Sequence, residues 1–304
     1  MKPRLLVVGA GPAGVAGALW ARGRFDVTVL ERAPVAGGQL RSIHFLPNHL
    51  PGIEHGDGAA LADACGRQLD QAGIEVLYER AAVALEARER PAVRLEGGDW
   101  IEADAVLVAT GLERRRLDVP GEREFEERGV SYSASRDRAR FAGQDVLVVG
   151  GGDGAFENAL LLTEVGCRVT LVVRDRPRAR AEFVNRVAAV PAISVRTGTR
   201  VTAFLGDQRL RAVRLVTPGG LGELAVAGAV IKIGSTPNAS WCAPALSTER
   251  GFVRANRAGR TGTAHVWAAG DVTGPALFAI SVAEAGAALA VHDAWNSISV
   301  GAAR

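Results

Sequence analysis

Four residues, Gly9, Gly11, Gly14 and Glu31, define the first chemistry this chain is equipped for. The glycines keep a Gly-x-Gly-x-x-Gly spacing directly after the apolar run Leu5–Val8 and ahead of a stretch of helical composition, Val15 to Arg22. In that setting Gly9 permits a tight turn and Gly11 lets backbone approach a diphosphate. Gly14 lets helix and strand pack closely, with Pro12 and Ala13 leading the helix in. A helix start offers unpaired N–H groups and the positive end of its dipole to an anion. Glu31 closes the next apolar run, Val27–Leu30, where a carboxylate can accept from the hydroxyls of a ribose. Strand, helix and acid coincide, which glycines that merely make a turn do not explain. The chemistry is dinucleotide recognition.

Two distant segments narrow it to FAD. Thr110-Gly111 follows the strand-like run Ala105–Ala109, and Gly270-Asp271 ends the run Val266 to Ala269. Asp271 can bond a ribityl hydroxyl, while the helix that follows points its N-terminus towards flavin or phosphates.

The same unit recurs roughly 140 residues later: Asp145–Val149, then Gly150-Gly151-Gly152-Asp153-Gly154-Ala155, a helix through Glu164 and the strand Val169–Val173. Alanine at the third motif position is an accepted variant, so Gly150, Gly152 and Ala155 predict a second diphosphate cradle. The end of the following strand decides which nicotinamide nucleotide fits. Arg174, Arg178 and Arg180 can clamp the 2′-phosphate of NADPH, whereas Asp175 opposes that charge and leaves NADH open. A solvated arginine-rich loop, or a site that no longer takes a nicotinamide nucleotide, are the competing readings.

A length of 304 residues accommodates two domains, and 48% hydrophobic with 23% charged residues describes a globular protein. A net charge of +3 gives no argument for nucleic acid, even though Lys2 and Lys232 are the only lysines among 36 basic residues. Five histidines without ligand spacing argue against a metal. Cys65, Cys167 and Cys242 are odd in number and far apart, as expected of reduced thiols in a cytoplasmic protein. The early uncharged run Leu5 to Ala21 is interrupted by glycines and Pro12, so no membrane span is expected.

With Gly37-Gly38-Gln39-Leu40, Pro120-Gly121-Glu122, Gly129 to Tyr132 and Thr236-Pro237-Asn238, the chain resembles the low-molecular-weight thioredoxin reductases over essentially its whole length. The resemblance implies an α/β fold of two Rossmann-like three-layer domains, the second inserted in the first. An FAD domain would comprise residues 1–114 and 241–304, and an NAD(P)H domain residues 115–240. It also implies a homodimer, Gly38, Gln39 and Leu40 at the FAD site, and Asn48 beside the flavin. The family's redox Cys-x-x-Cys follows its Val-Ser-Tyr run, but here that stretch is Ser133-Ala134-Ser135-Arg136-Asp137. Serine forms neither thiolate nor disulfide, which excludes thioredoxin reduction by the family route. Leu277-Phe278-Ala279 replaces the family's Arg-Gln pair; Phe278 reads as core packing, with a hydrophobic substrate patch as the alternative. His44 and His49, flanking Asn48, are candidates for proton donation, as is Asp137, which stands where the family keeps its acid.

The expectation is an FAD-dependent NAD(P)H:acceptor oxidoreductase whose reduced flavin serves an external acceptor, a protein such as ferredoxin or flavodoxin. Alternatives are a flavin enzyme acting on a small disulfide or other small substrate, and a flavin-binding sensor or scaffold without turnover.

Overall fold

A computed structural model of the chain describes residues 2–45, 47 and 50–301. The chain forms two compact units, Met1–Glu113 with Thr236–Arg304, and Arg114–Ser235. The return crossing lies at Ser235/Thr236 rather than after residue 240. Asn238 is bonded into the first unit, its N–H donating to the Gly111 carbonyl at 3.0 Å and its side-chain amide to that of Thr110 at 3.0 Å.

The first unit is built on a five-stranded parallel sheet in the order Val266–Ala268, Ala105–Val108, Arg4–Val8, Asp26–Leu30, Glu75–Leu77. Its inner strands Arg4–Val8 and Ala105–Val108 are almost wholly apolar because both faces of the sheet are covered. Leu5, Val7, Val29 and Leu107 pack under the helices Pro12–Ala21 and Ile280–Gly301. Leu6, Val8, Val106 and Val108 pack against Leu85, Val93 and Leu95 of a small antiparallel sheet, Ala82–Glu86, Ala92–Leu95, Trp100–Glu102.

The second unit repeats the plan. Its parallel sheet runs Ile193–Arg196, Arg168–Val172, Asp145–Val149, Gly228–Ile231, Val130–Ser131. Val146, Val148 and Val230 face the helix Asp153–Thr163 through Ala155, Phe156 and Leu162. Leu147, Val149 and Ile231 face a three-stranded antiparallel meander, Arg200–Gly206, Leu210–Thr217, Gly220–Ala225. Helices, parallel sheet and antiparallel sheet make three layers in each unit. Among the described residues no helix is long and apolar enough to cross a membrane.

Candidate functional site

The strand Arg4–Val8 delivers the chain to Gly9, whose φ of +105° is open to glycine at little cost. A Cβ there would also sit 2.5 Å from the Ala109 carbonyl oxygen. The helix opens with Pro12 in its first turn after an N-cap at Gly11, and no side chain caps it, so its leading amides remain available to an anion. Gly14 carries the helix onto the turn so closely that a Cβ would fall 1.7 Å from the Gly9 carbonyl oxygen. Gly11 differs: nothing of the protein lies within 4 Å of where its Cβ would project. One glycine permits packing, and the other keeps a space clear.

Glu31 is buried, 8% exposed, at the end of the neighbouring strand. Its carboxylate accepts the Ala10 N–H at 2.7 Å and the Ala33 N–H at 2.8 Å, which ties the glycine turn to the strand end. Each oxygen keeps acceptor capacity for a ribose hydroxyl. It borders a cavity of ≈ 230 Å³ lined also by Gly9, Arg32, Arg80, Thr110, Asn238 and Trp241.

The remaining pieces close on the same turn. The Gly37 N–H donates to the Ala10 carbonyl at 2.8 Å, and a Cβ on Gly38 would lie 3.0 Å from the Gly11 Cα. In the short helix Gly38–Ser42 that follows, Leu40 is buried and Gln39 donates its amide to the Asp271 carboxylate at 3.0 Å. The same Gln39 nitrogen lies 3.5 Å from where a Cβ on Gly111 would be. Gly270, just before Asp271, packs against Ala13, whose Cβ an added methyl would meet at 2.7 Å. Burial pushes the Asp271 carboxyl above the ordinary range against the lowering effect of the Gln39 hydrogen bond. Thr110 and Asn238 are cross-bonded, the Thr110 hydroxyl donating to the Asn238 carbonyl at 2.6 Å. The first unit thus gathers residues 9–14, 31, 38–40, 110–111 and 270–271 around one cleared cradle, and they fit a diphosphate flanked by polyol acceptors. Arg32, Arg80 and Trp241 were absent from the sequence-based set. Arg32 adjoins Glu31 in sequence, whereas Arg80 arrives only because its N–H bonds to the Glu31 carbonyl at 2.9 Å.

The second unit forms its own turn. Gly150 has φ +148°, and a Cβ there would sit 2.2 Å from the Lys232 carbonyl oxygen and 2.9 Å from the Ala155 methyl. Gly152 caps the helix Asp153–Thr163 without a side-chain bond, and nothing lies within 4 Å of its added Cβ. Gly154 completes the first turn. Asp153 holds the Arg180 N–H at 2.8 Å and its Nε at 2.7 Å, which lowers the Asp153 pKa. Arg174 pairs with Asp175 at 3.0 Å. Arg178 is exposed and anchored to the turn by its N–H, which donates to the Gly151 carbonyl at 2.6 Å. Of the three arginines expected to meet a 2′-phosphate, two are therefore engaged by carboxylates, and the third, Arg178, is exposed with its backbone held to the turn.

Over residues 3–288 the chain matches the pyridine nucleotide-disulphide oxidoreductase family. It is a member of that family. The chain is 32% identical to the thioredoxin reductase of Listeria innocua over 300 residues, 97% of this chain and 93% of that protein. It is also 32% identical, over 277 residues, to the alkyl hydroperoxide reductase F protein of Pseudomonas putida. That match takes in 88% of this chain but 53% of the relative, so the chain spans about half that relative's length. The crystal structure of the Lactococcus lactis thioredoxin reductase superposes with a TM-score of 0.77 at 30% identity, covering 97% of this chain and 98% of that one. Membership makes this oxidoreductase a flavoprotein and implies FAD and NAD(P)H.

In this family member Asn48 and His49 lie outside the described residues, and His44 is exposed. Asp137 is buried, 3% exposed, with the Ser131 hydroxyl donating to it at 2.6 Å and Arg136 at 2.7 Å. It holds a turn and has no open face for a substrate. Phe278 is not core: it is 52% exposed and Leu277 63%, with Phe252 the nearest ring at 6.3 Å. Among the described residues no group of His, Cys, Asp and Glu could hold a metal.

Proposed function

We propose that this flavoprotein is an NAD(P)H:acceptor oxidoreductase without an internal dithiol, which serves an external electron carrier such as ferredoxin or flavodoxin directly. The observation that carries the reading is the stretch Ser133 to Asp137, where a relay cysteine pair would have to stand. The Ser133 and Ser135 hydroxyls bond one another at 2.9 Å, and hydroxyls cannot exchange electrons. No other pair replaces them. Burial pushes the Cys242 thiol up to about 12 and raises Cys167, whose Sγ donates to the Phe141 carbonyl at 3.0 Å; burial and Glu284 raise Cys65. Thiols of this kind stay protonated and unreactive.

Bound FAD would supply two-electron exchange with a nicotinamide and onward delivery to an acceptor. The protein's part is to hold the nucleotides. The Gly9–Gly14 turn and the Asp271 turn position one, and the Gly150–Ala155 turn positions the other. Trp20 and Leu289, 60% and 54% exposed on the two packed helices of the first unit, suit burial in a cytoplasmic homodimer.

The test is anaerobic addition of NADPH, and separately NADH, to the yellow protein, followed by acceptors. Bleaching near 450 nm with ferredoxin-stimulated cytochrome reduction is the expected result. Thiol release from a small disulfide without carrier stimulation would favour a small-substrate enzyme. Intact FAD that neither nucleotide bleaches would leave only a sensor or scaffold.

NADPH is the proposed donor, because the backbone of the exposed Arg178 is anchored to the nucleotide turn. Arg178→Ala is expected to weaken NADPH about tenfold, as for one charge-assisted contact, while leaving NADH unchanged. The KM ratio of the two nucleotides reports this, and a variant with an unaltered ratio would remove Arg178 from the 2′-phosphate.

A further inference from the structure

The two units share one register, and that register singles out a residue the glycine motif does not account for. In the first unit Val8 pairs with Val108, and Gly9 abuts the carbonyl of Ala109. In the second Val149 pairs with Ile231, and Gly150 abuts the carbonyl of Lys232. Ala109 and Lys232 hold equivalent positions. One carries a methyl group and the other an ammonium.

Lys232 is one of only two lysines in a chain that otherwise uses arginine. Its N–H is fixed to the Val149 carbonyl at 2.8 Å, so its backbone sits beside the turn. The side chain is half-buried and runs over the start of the helix Asp153–Thr163, where Cε lies 3.4 Å from where a Cβ on Gly154 would be. Among the described residues its Nζ makes a single long hydrogen bond, 3.5 Å to the Tyr132 carbonyl, although an ammonium has three donors. Burial first, and Arg114 second, hold its pKa below that of an ordinary lysine, and Glu157 offsets this only in part. A desolvated cation beside another cation, with donors to spare, calls for an anion.

We propose that Lys232 binds the nicotinamide nucleotide of the second unit, its ammonium donating to the diphosphate at the Gly150–Ala155 turn. The inference rests on the reading of that unit as the nicotinamide nucleotide site. Topology separates Lys232 from the adenosine 2′-position. The 2′-phosphate is read at the end of Arg168–Val172, on one flank of Asp145–Val149, and Lys232 ends Gly228–Ile231, on the other. Lys232 therefore gains affinity for either nucleotide without choosing between them.

The experiment is calorimetric titration of the oxidised, FAD-loaded protein with NADP⁺, NAD⁺ and ADP-ribose, comparing wild type with Lys232→Met and Lys232→Arg. The Met variant should bind NADP⁺ and ADP-ribose tenfold or more weakly, with the NADP⁺/NAD⁺ ratio kept, and with FAD content and melting temperature unchanged. The Arg variant should recover part of the loss. Unchanged affinity in Lys232→Met overturns the assignment and leaves the nucleotide site standing. So does a loss confined to NADP⁺ with ADP-ribose untouched, and so does a drop in FAD content or melting temperature with nucleotide affinity retained. Wild type that binds none of the three ligands overturns the nicotinamide reading itself, and the assignment with it.

Discussion

Gly14→Ala is expected to emerge from purification colourless. Its methyl would fall 1.7 Å from the Gly9 carbonyl oxygen, far inside contact distance, and no flexible side chain is there to yield. The Gly9 side of the contact is equally fixed, since Gly9 itself abuts the Ala109 carbonyl and donates its N–H to the Leu30 carbonyl at 2.8 Å. The helix Pro12–Ala21 must therefore lift, and its first-turn amides leave the positions that face the cleared space. A displacement of about 1 Å is enough to cost on the order of a hundredfold in a site built on preorganised geometry. Gly11→Ala separates binding from folding. With no protein atom within 4 Å of its Cβ, it should fold and melt like flavin-free wild type, yet its methyl would enter the space proposed for the diphosphate. The ratio of absorbance near 450 nm to that at 280 nm reads both. If Gly11→Ala carries flavin at wild-type stoichiometry, the cradle has been placed on the wrong face of the turn.

That cradle was legible because its signal is local. Gly9, Gly11, Gly14 and Glu31 lie within one strand–helix–strand segment, and the repeat at Gly150 shares its spacing. Motif order along the chain also located Thr110-Gly111 and Asp271, although only the fold shows that Gln39 reaches Asp271 at 3.0 Å. Parallel strands such as Ala105–Val108 stand out as short apolar runs, since both faces are buried. The strands Arg200–Gly206 and Gly220–Ala225 did not, because the second is exposed nearly throughout and carries two glycines. The helix Gly58–Gln71 also gave little signal. It buries only Gly58, Ala62 and Leu69, and its clearest cue is the Asp57 cap, which accepts the Ala60 N–H at 3.0 Å. Lys232 carries no local signal for a different reason. Its interest comes from equivalence with Ala109, and pairing register has to be observed before two positions 123 apart can be compared. The arginines show both cases: Asp175 stands next to Arg174 in sequence and does pair with it, whereas the Asp153–Arg180 pair spans 27 residues and only the fold reveals it.

Asp137→Ala should destabilise the second unit by about 2–3 kcal/mol, somewhat below the range for breaking a fully buried ion pair, because Arg136 keeps some access to water. Burial by itself would raise the Asp137 pKa, but hydrogen bonds from Arg136 and Ser131, with the charges of Arg136 and Arg140, bring it below the ordinary carboxylate value. A group whose pKa is depressed on folding stabilises the fold fully above its unfolded value, about 3.9, and loses that contribution as pH falls through the folded value. The melting-temperature gap between wild type and variant should accordingly be constant from pH 7 to pH 5, roughly 5–10 °C, and close below pH 4. A gap that persists undiminished into strong acid would show that the carboxylate's charge is not what holds this turn. The same ion pair explains how the segment keeps its shape without a disulfide. Ser131, Ser133 and Asp137 form a closed set, with the Ser133 N–H donating to the Ser131 hydroxyl at 3.0 Å and that hydroxyl donating to Asp137. Polar contacts among three side chains thus fix the backbone of this turn.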